Sequence, residues 1–398
     1  MERPATPAAA SVSAPAAYRD PEPFSVDAQG QSLTFYPAGK DRFERLLSLI
    51  DGARTSLRMA FYIYAEDETG TRVRDALIAA ARRGVAVTLI IDGFGSSASD
   101  EFFAGLEAAG GRFCRFIPHW GVRYLVRNHQ KIVVADDRIA MLGGFNVEDS
   151  YFAPPEADGW NDLGFTVEGS LVERVSAWFA LLEGWACDSA ARFRALNRLV
   201  REWDSGIAPV QLLIGGPTRW LSPWARSVTR DLIRGQRLDM MIAYFSPAVL
   251  LLRRIRRIAE KGGTRLVLAG KSDNAATIGA SRLLYRSLLR SGARIWEFQP
   301  CRLHTKLIVL DDAVYIGSAN FDMRSLYLNL EIVVKIEDRA LAERMREFIG
   351  GQISASLEIT PELHRCRATP LTRLRWILSW FLVSVVDYSV SRKLNLGL

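Results

Sequence analysis

Arg127–Asp137 reads RNHQKIVVADD and Arg302–Asp312 reads RLHTKLIVLDD. Each spells His, any residue, Lys, four residues, then Asp twice. The chain has only four histidines and seven lysines in 398 residues, yet it spends two of each on matched positions nearly half its length apart. A buried core does not ask for this, because lysine is expensive to desolvate without a partner.

Working outward from the motifs, the flanking segments also match. Ser32–Tyr64 and Ala208–Ser246 each read as a short strand, a glycine-containing turn, an amphipathic helix and a buried strand. TRVRDALIAAARRG corresponds to AVLLLRRIRRIAEKGG, VAVTLIIDGFGSS to TRLVLAGKSDN, and RFCRFIP to RIWEFQP just before each motif. Strands alternating with helices at this spacing predict two α/β units with largely parallel sheets covered by helices. The period is far too long for a solenoid, so the chain reads as a duplicated domain. The expected division is a disordered extension over 1–31, units over 32–200 and 201–350, and a basic amphipathic tail over 351–398.

Hydrophobic content of 49% and charged content of 24% are globular values. A net charge of +7 and a pI near 9.3 call for an anionic partner, nucleic acid or an anionic membrane. Cys114, Cys187, Cys301 and Cys366 show no CxxC pairing, which argues against a disulfide framework or zinc site and for a reducing compartment. The Ala-, Pro- and Ser-rich start carries no secretory pattern. No apolar run reaches the ~18 residues of a membrane span; the nearest is WILSWFLVSVV, Trp376–Val386.

In a strand, residues two apart share a face, so His129 and Lys131 point together, as do His304 and Lys306. Asp136 and Asp311, seven residues after their histidines, fall on the opposite face and read as structural. Lysine beside each histidine opposes a cation, so no metal is expected; the four side chains describe a phosphate site. Histidine titrates near neutrality, so one ring can be nucleophile and the other acid and base in an in-line double displacement. Each ring needs an acceptor to fix its tautomer. Asp162 in the first half and Glu331 in the second, each opening a strand near its motif, are the candidates. Gly143, Gly144 and Asn146, with Gly317, Ser318 and Asn320, would bring backbone and hydrogen-bond donors to the phosphate.

These motifs resemble the HKD motifs of the phospholipase D superfamily over about Ser32 to Ile349. GGFNVEDSYF…WNDLGFTVEG and GSANFDMRSLYLNLE are similar to its bacterial cardiolipin synthase branch. The resemblance implies two α/β/α sandwich units related by a pseudo-twofold, with one active site between them and no cofactor. It places His129, Lys131, Asp136, His304, Lys306 and Asp311 in the catalytic motifs, His129 as the usual nucleophile and His304 as the usual acid/base. Asp162 and Glu331 match its histidine-orienting acids. The implied substrate is a phospholipid, phosphatidylglycerol with phosphatidylethanolamine as second candidate, condensed into cardiolipin with release of glycerol. Hydrolytic phospholipases and nucleic-acid phosphodiesterases share the same residues.

Two segments bear on that choice. IPHWGVRYLVRNH, Ile117–His129, mixes Arg123 and Arg127 with Trp120 and Tyr124 and would suit either nucleic acid or a lipid headgroup. The tail favours lipid: Arg373 and Arg375 precede its apolar run, Arg392 and Lys393 follow it, and Trp376, Trp380 and Tyr388 are aromatics suited to an interface. The long membrane-spanning N-terminus of one cardiolipin synthase type is missing. The expected partner is therefore an anionic membrane surface, not nucleic acid, with peripheral attachment to the bacterial inner membrane on its cytoplasmic side.

Overall fold

A computed structural model describes residues 18–118 and 126–386. In the first half, strands β1 (Phe24–Ala28), β2 (Gln31–Tyr36), β3 (Ser56–Phe61), β4 (Ala86–Asp92), β5 (Arg112–Phe116), β6 (Ile132–Ala135), β7 (Ile139–Leu142), β8 (Trp160–Asn161) and β9 (Gly164–Glu168) alternate with helices. These are α1 (Gly39–Gly52), α2 (Glu68–Arg82), α3 (Asp100–Ala108), α4 (Asp149–Phe152), α5 (Ser170–Ala186) and α6 (Phe193–Glu202). The second half repeats the plan with β10 (Val210–Gly215), β11 (Leu238–Ile242), β12 (Phe245–Ser246), β13 (Thr264–Ala269), β14 (Arg294–Phe298), β15 (Arg302–Leu303), β16 (Lys306–Leu310), β17 (Ala313–Gly317), β18 (Phe321–Asp322), β19 (Glu331–Glu337) and β20 (Ser356–Glu358). Its helices are α7 (Pro223–Arg234), α8 (Val249–Ala259), α9 (Ala275–Arg290), α10 (Met323–Tyr327), α11 (Arg339–Ser354), α12 (Pro361–Arg367) and α13 (Pro370–Phe381).

Two eight-stranded sheets result, ordered β1-β2-β9-β7-β6-β3-β4-β5 and β10-β19-β17-β16-β11-β13-β14-β20. From β2 and β10 onward the two orders match strand for strand over seven positions. Within these two sheets only β3-β4-β5 and β11-β13-β14 pair in parallel; the other neighbours are antiparallel. This corrects the expectation of largely parallel sheets. The motif strands β6 and β16 turn back at once through Asp136–Asp137 and Asp311–Asp312 into β7 and β17, and a hairpin can only be antiparallel.

Three apolar clusters set the layers. One packs β3 and β4 against α1, α2 and α3, and another packs β11 and β13 against α7, α8 and α9. The central cluster joins the inner faces of both sheets around α5 and α11. Each sheet is thus covered on both faces, the α/β/α sandwich expected, and the two sandwiches share their inner helix layer.

Four expectations are corrected here. Residues 1–17 lie outside the described residues, but 18–31 are ordered: β1 forms the sheet edge, Phe24 stacks on Phe35, and the Tyr18 hydroxyl donates to Gln352 at 2.7 Å. Cys114 on β5 and Cys187 at the end of α5 form a disulfide with Cα atoms 5.2 Å apart, although 73 residues separate them. That pairing is invisible to a spacing rule, and a disulfide does not fit the reducing compartment inferred from the cysteines. At the other boundary, α11 runs through residue 350 and β20 pairs with β14, so 351–358 belongs to the second sandwich. Trp376 is buried, stacked on His364 with ring centroids 5.3 Å apart, and is not an interfacial aromatic. The outward side of α13 instead shows Leu371, Leu374, Ile377, Leu378 and Phe381, beside Arg373 and Arg375. Tyr388, Arg392 and Lys393 of the tail, and Trp120, Arg123 and Tyr124 of the loop before the first motif, lie outside the described residues.

Candidate active site

Each His-x-Lys segment is an extended lead into its motif strand, tied by backbone to the opposite half. The His129 amide donates to the Leu330 carbonyl at 2.9 Å, and the Leu330 amide returns to Arg127 at 2.8 Å. The His304 amide donates to the Asn161 carbonyl at 2.7 Å, within the parallel pair β8-β15. The residues that follow these anchors are Glu331 and Asp162. The acids therefore cross over: His129 Nδ1 lies 3.0 Å from Glu331 Oε2, and His304 Nδ1 lies 2.6 Å from Asp162 Oδ2. The sequence reading put each acid beside the motif of its own half; the exchange of backbone pairs between halves puts it beside the other.

Both histidines open onto one cavity of about 380 Å³, lined also by Tyr62, Arg127, Asn146, Tyr151, Asn320 and Arg324. Tyr62 packs 4.9 Å from the His129 ring; Tyr151 and Trp160 flank His304 at 5.1 and 5.2 Å between centroids. The Arg127 guanidinium lies 3.4 Å above the Phe94 ring. Arg127 belongs to the loop that the sequence offers to a nucleic acid or lipid headgroup; the aromatics and Arg324 were not singled out as site residues. Most of the others sit just past strand ends, where an α/β sheet places its ligand-binding loops.

Lys131 and Lys306 are buried, and each ammonium donates to the carbonyl of its own histidine, at 2.7 and 2.5 Å. Burial pulls both down, Lys131 to about 7 and Lys306 to about 8. Burial and the neighbouring lysines hold His129 well below its ordinary value and His304 down at about 3. Asp162 and Glu331 diverge. Burial raises both, but for Asp162 the His304 ring, its hydrogen bond, Lys306 and Arg42 outweigh burial and leave it below the usual carboxylate range. Glu331, whose burial is less well compensated by Lys131 and Ser318, is pushed up to about 8.

The supporting groups differ in the same sense. Buried Arg42 donates to the carbonyls of Asp162 at 2.6 Å, Tyr151 at 2.8 Å and Trp160 at 3.2 Å, fixing the loop that carries Asp162. Ser318, expected to face phosphate, spends its hydroxyl on Glu331 and accepts from the Ile332 amide at 3.0 Å. Asn146 lines the cavity but its Oδ1 is taken by the Ile63 amide at 3.0 Å, while the buried Asn320 Oδ1 has no hydrogen-bond partner among the described residues.

Asp136 and Asp311 stand at the far ends of β6 and β16 from the histidines. Asp136 accepts from the amides of Arg54, Thr55 and Ser56, and Asp311 from those of Gln236 and Arg237. The motif resemblance grouped them with the catalytic residues; the geometry keeps them out of the cavity, as strand alternation required.

Two matching halves that bring a histidine each into one cleft, each oriented by a carboxylate of the other half, define the duplicated phospholipase D class. Residues 46–180 and 230–350 match the family described as cardiolipin synthase, PLD-like domain, and the chain belongs to that family. It is 32% identical over 346 residues to cardiolipin synthase B of Shigella flexneri, covering 84% of this chain and 83% of that one. It is 30% identical over 383 residues to the major cardiolipin synthase of Bacillus subtilis strain 168, covering 93% of this chain and 76% of that one. A crystal structure of phosphatidylserine synthase from Haemophilus influenzae Rd KW20 shares the fold, with a TM-score of 0.70 at 14% identity over 93% of this chain and 96% of that one.

Proposed function

We propose that this enzyme is a phosphatidyltransferase of cardiolipin synthase type that condenses two phosphatidylglycerols into cardiolipin and glycerol. The observation that carries the reading is the pair of histidines in one cleft with unlike carboxylates. His129, held neutral beside a Glu331 that resists ionisation, is the nucleophile: its Nε2 bonds to phosphorus as the bond to the glycerol oxygen breaks. His304, beside an ionised Asp162 that stabilises the imidazolium, gives its Nε2 proton to the departing glycerol once the anionic phosphodiester has drawn it into the charged form. It then takes the proton of the second phosphatidylglycerol's hydroxyl, whose oxygen bonds to phosphorus and frees His129. Lys131, Lys306, Arg127 and Asn320 supply the positive field and hydrogen bonding for the phosphoryl oxygens.

The lipid comes from a membrane surface. The basic, apolar outward side of α13 is suited to lie in the headgroups of an anionic leaflet, and no helix among the described residues is long and apolar enough to cross a bilayer. This supports peripheral attachment at the bacterial inner membrane, with lipid and not nucleic acid as the partner, and phosphatidylethanolamine as second candidate donor. The Cys114–Cys187 bond favours the oxidising face over the cytoplasmic side first expected. Membrane-impermeant maleimide should accordingly label exposed, free Cys366 in spheroplasts; protection until lysis restores the cytoplasmic side.

The decisive measurement is mass spectrometry of products from phosphatidylglycerol vesicles. Cardiolipin and glycerol should form in near-equal amounts, and His129→Ala and His304→Ala should each lower turnover on the order of 100-fold or more. Predominant phosphatidic acid would make the enzyme a hydrolase, and cleavage of DNA or RNA without lipid turnover would make it a nuclease.

A further inference from the structure

A second cavity of about 370 Å³ lies beside the cleft, lined by Arg219, Trp220, Leu221, Ala248, Met323 and Tyr327. The chain segments that build it all leave the cleft. Helix α10 is a shared wall: Met323 and Tyr327, one turn apart, face the second cavity, while Arg324 and Ser325 line the first. The Arg219–Leu221 loop follows β10, whose last residue Gly215 pairs with Glu331. Ala248 follows β12, which begins beside the cleft residue Tyr244.

The lining is mostly apolar, and large apolar side chains in it or next to it in sequence stand exposed. Trp220 is 77% exposed, Leu250 64% and Val249 55%, a concentration of large apolar groups that folding alone does not explain. The one charge is Arg219, exposed, with no hydrogen bond or ion pair among the described residues. A phosphodiester in the cleft is joined through one glycerol to its fatty chains, so a diacyl substrate needs an apolar volume one helix-width away and tolerates a cation where its headgroup region passes.

We infer that this cavity is an acyl-chain subsite, holding a fatty chain of the phospholipid whose phosphodiester lies between His129 and His304. The inference rests on the phosphatidyltransferase reading and adds how the enzyme selects its lipid: by chain length as well as headgroup. Each methylene accommodated there should improve kcat/KM on the order of fourfold until the cavity is full.

The test uses the full-length protein in detergent micelles at fixed lipid fraction, with dihexanoyl- and dioleoyl-phosphatidylglycerol as substrates. Ala248→Phe, which fills the cavity, and Trp220→Ala, which opens it, are checked for folding by thermal melting. Both should lower kcat/KM for the dioleoyl lipid on the order of tenfold or more and for the dihexanoyl lipid by no more than about threefold. Equal losses on both lipids, or no loss on either, overturn the subsite. A loss seen on vesicles but absent in micelles also overturns it, assigning Trp220 and its neighbours to bilayer contact. Binding of a pyrene-acyl phosphatidylglycerol gives a readout without turnover. Should wild type transfer no phosphatidyl group, weaker pyrene-lipid binding by Ala248→Phe would uphold the subsite while the transferase reading fails; unchanged binding would sink the subsite itself.

Discussion

Gly144 and Ser318 hold matching positions in GGFN and GSAN, and the difference between them follows from the acids they meet. A Cβ on Gly144 would stand 2.8 Å from both carboxylate oxygens of Asp162, whereas the Ser318 hydroxyl donates to Glu331. The shorter acid comes closer to the strand and needs a bare backbone; the longer one leaves room for a hydroxyl. Gly144→Ala should displace Asp162 from His304 and lower kcat on the order of tenfold or more with little change in KM, measured on phosphatidylglycerol; wild-type kcat would show that Asp162 has slack. The lysines give a pH signature. Burial lowers Lys131 to about 7 and Lys306 to about 8, so the free enzyme loses its ammonium groups as pH rises through that window. Because kcat/KM reports groups in the free enzyme, it should fall on the alkaline side between about pH 7 and 8, well below an ordinary lysine near ~10.4. A profile flat to pH 9 would contradict this. At this scale the sequence displayed the histidines, lysines and acids as residue types. It could not display who faces whom, because an acid at a strand start looks the same whether its partner lies in its own half or across the interface.

Elements carry the motif aspartates. Both Asp136 and Asp311 take a left-handed turn, with φ of 54° and 51°, and clamp the start of the neighbouring strand through its amides. For Asp136, slight burial acts upward, but the amides of Thr55, Ser56 and Arg54 and the Thr55 hydroxyl outweigh it and hold the carboxyl at about 2. Asp136→Ala should therefore lower unfolding stability by roughly 1–3 kcal/mol in a denaturant titration, with Asp311→Ala, which loses fewer donors, costing less. Turnover per folded molecule should stay within about twofold for both. A large drop in kcat at full stability would return these residues to the catalytic set. Alternation of period two was enough to place them outside the cleft, since it depends only on local backbone. The sheet direction was less legible: helix–strand alternation predicts largely parallel sheets, and the two aspartates that signal a tight hairpin carried the missing information.

The whole molecule presents a basic surface whose tail packs inward through Trp376 and outward through nothing described. Leu374→Glu with Leu378→Glu on the exposed side of α13 should weaken partition onto anionic vesicles on the order of tenfold or more, while turnover of a micellar short-chain lipid persists. Partition equal to wild type would make that face irrelevant to the membrane. The disulfide and the ordered residues 18–31 were not legible, since both depend on contacts distant in sequence: Cys114 with Cys187, and Tyr18 with Gln352. The crossing of the acids has a further consequence, for inheritance. Neither motif histidine takes its carboxylate from its own half, so a unit with one motif would complete its site only against a second copy that lends its acid. Once joined, the halves could diverge only in step across the seam, His129 with Glu331 and Ser318, His304 with Asp162, Gly144 and Arg42. A chimera that takes one half from a distant relative would therefore disturb both pairs at once, and the unit on which selection acts is the seam rather than the half.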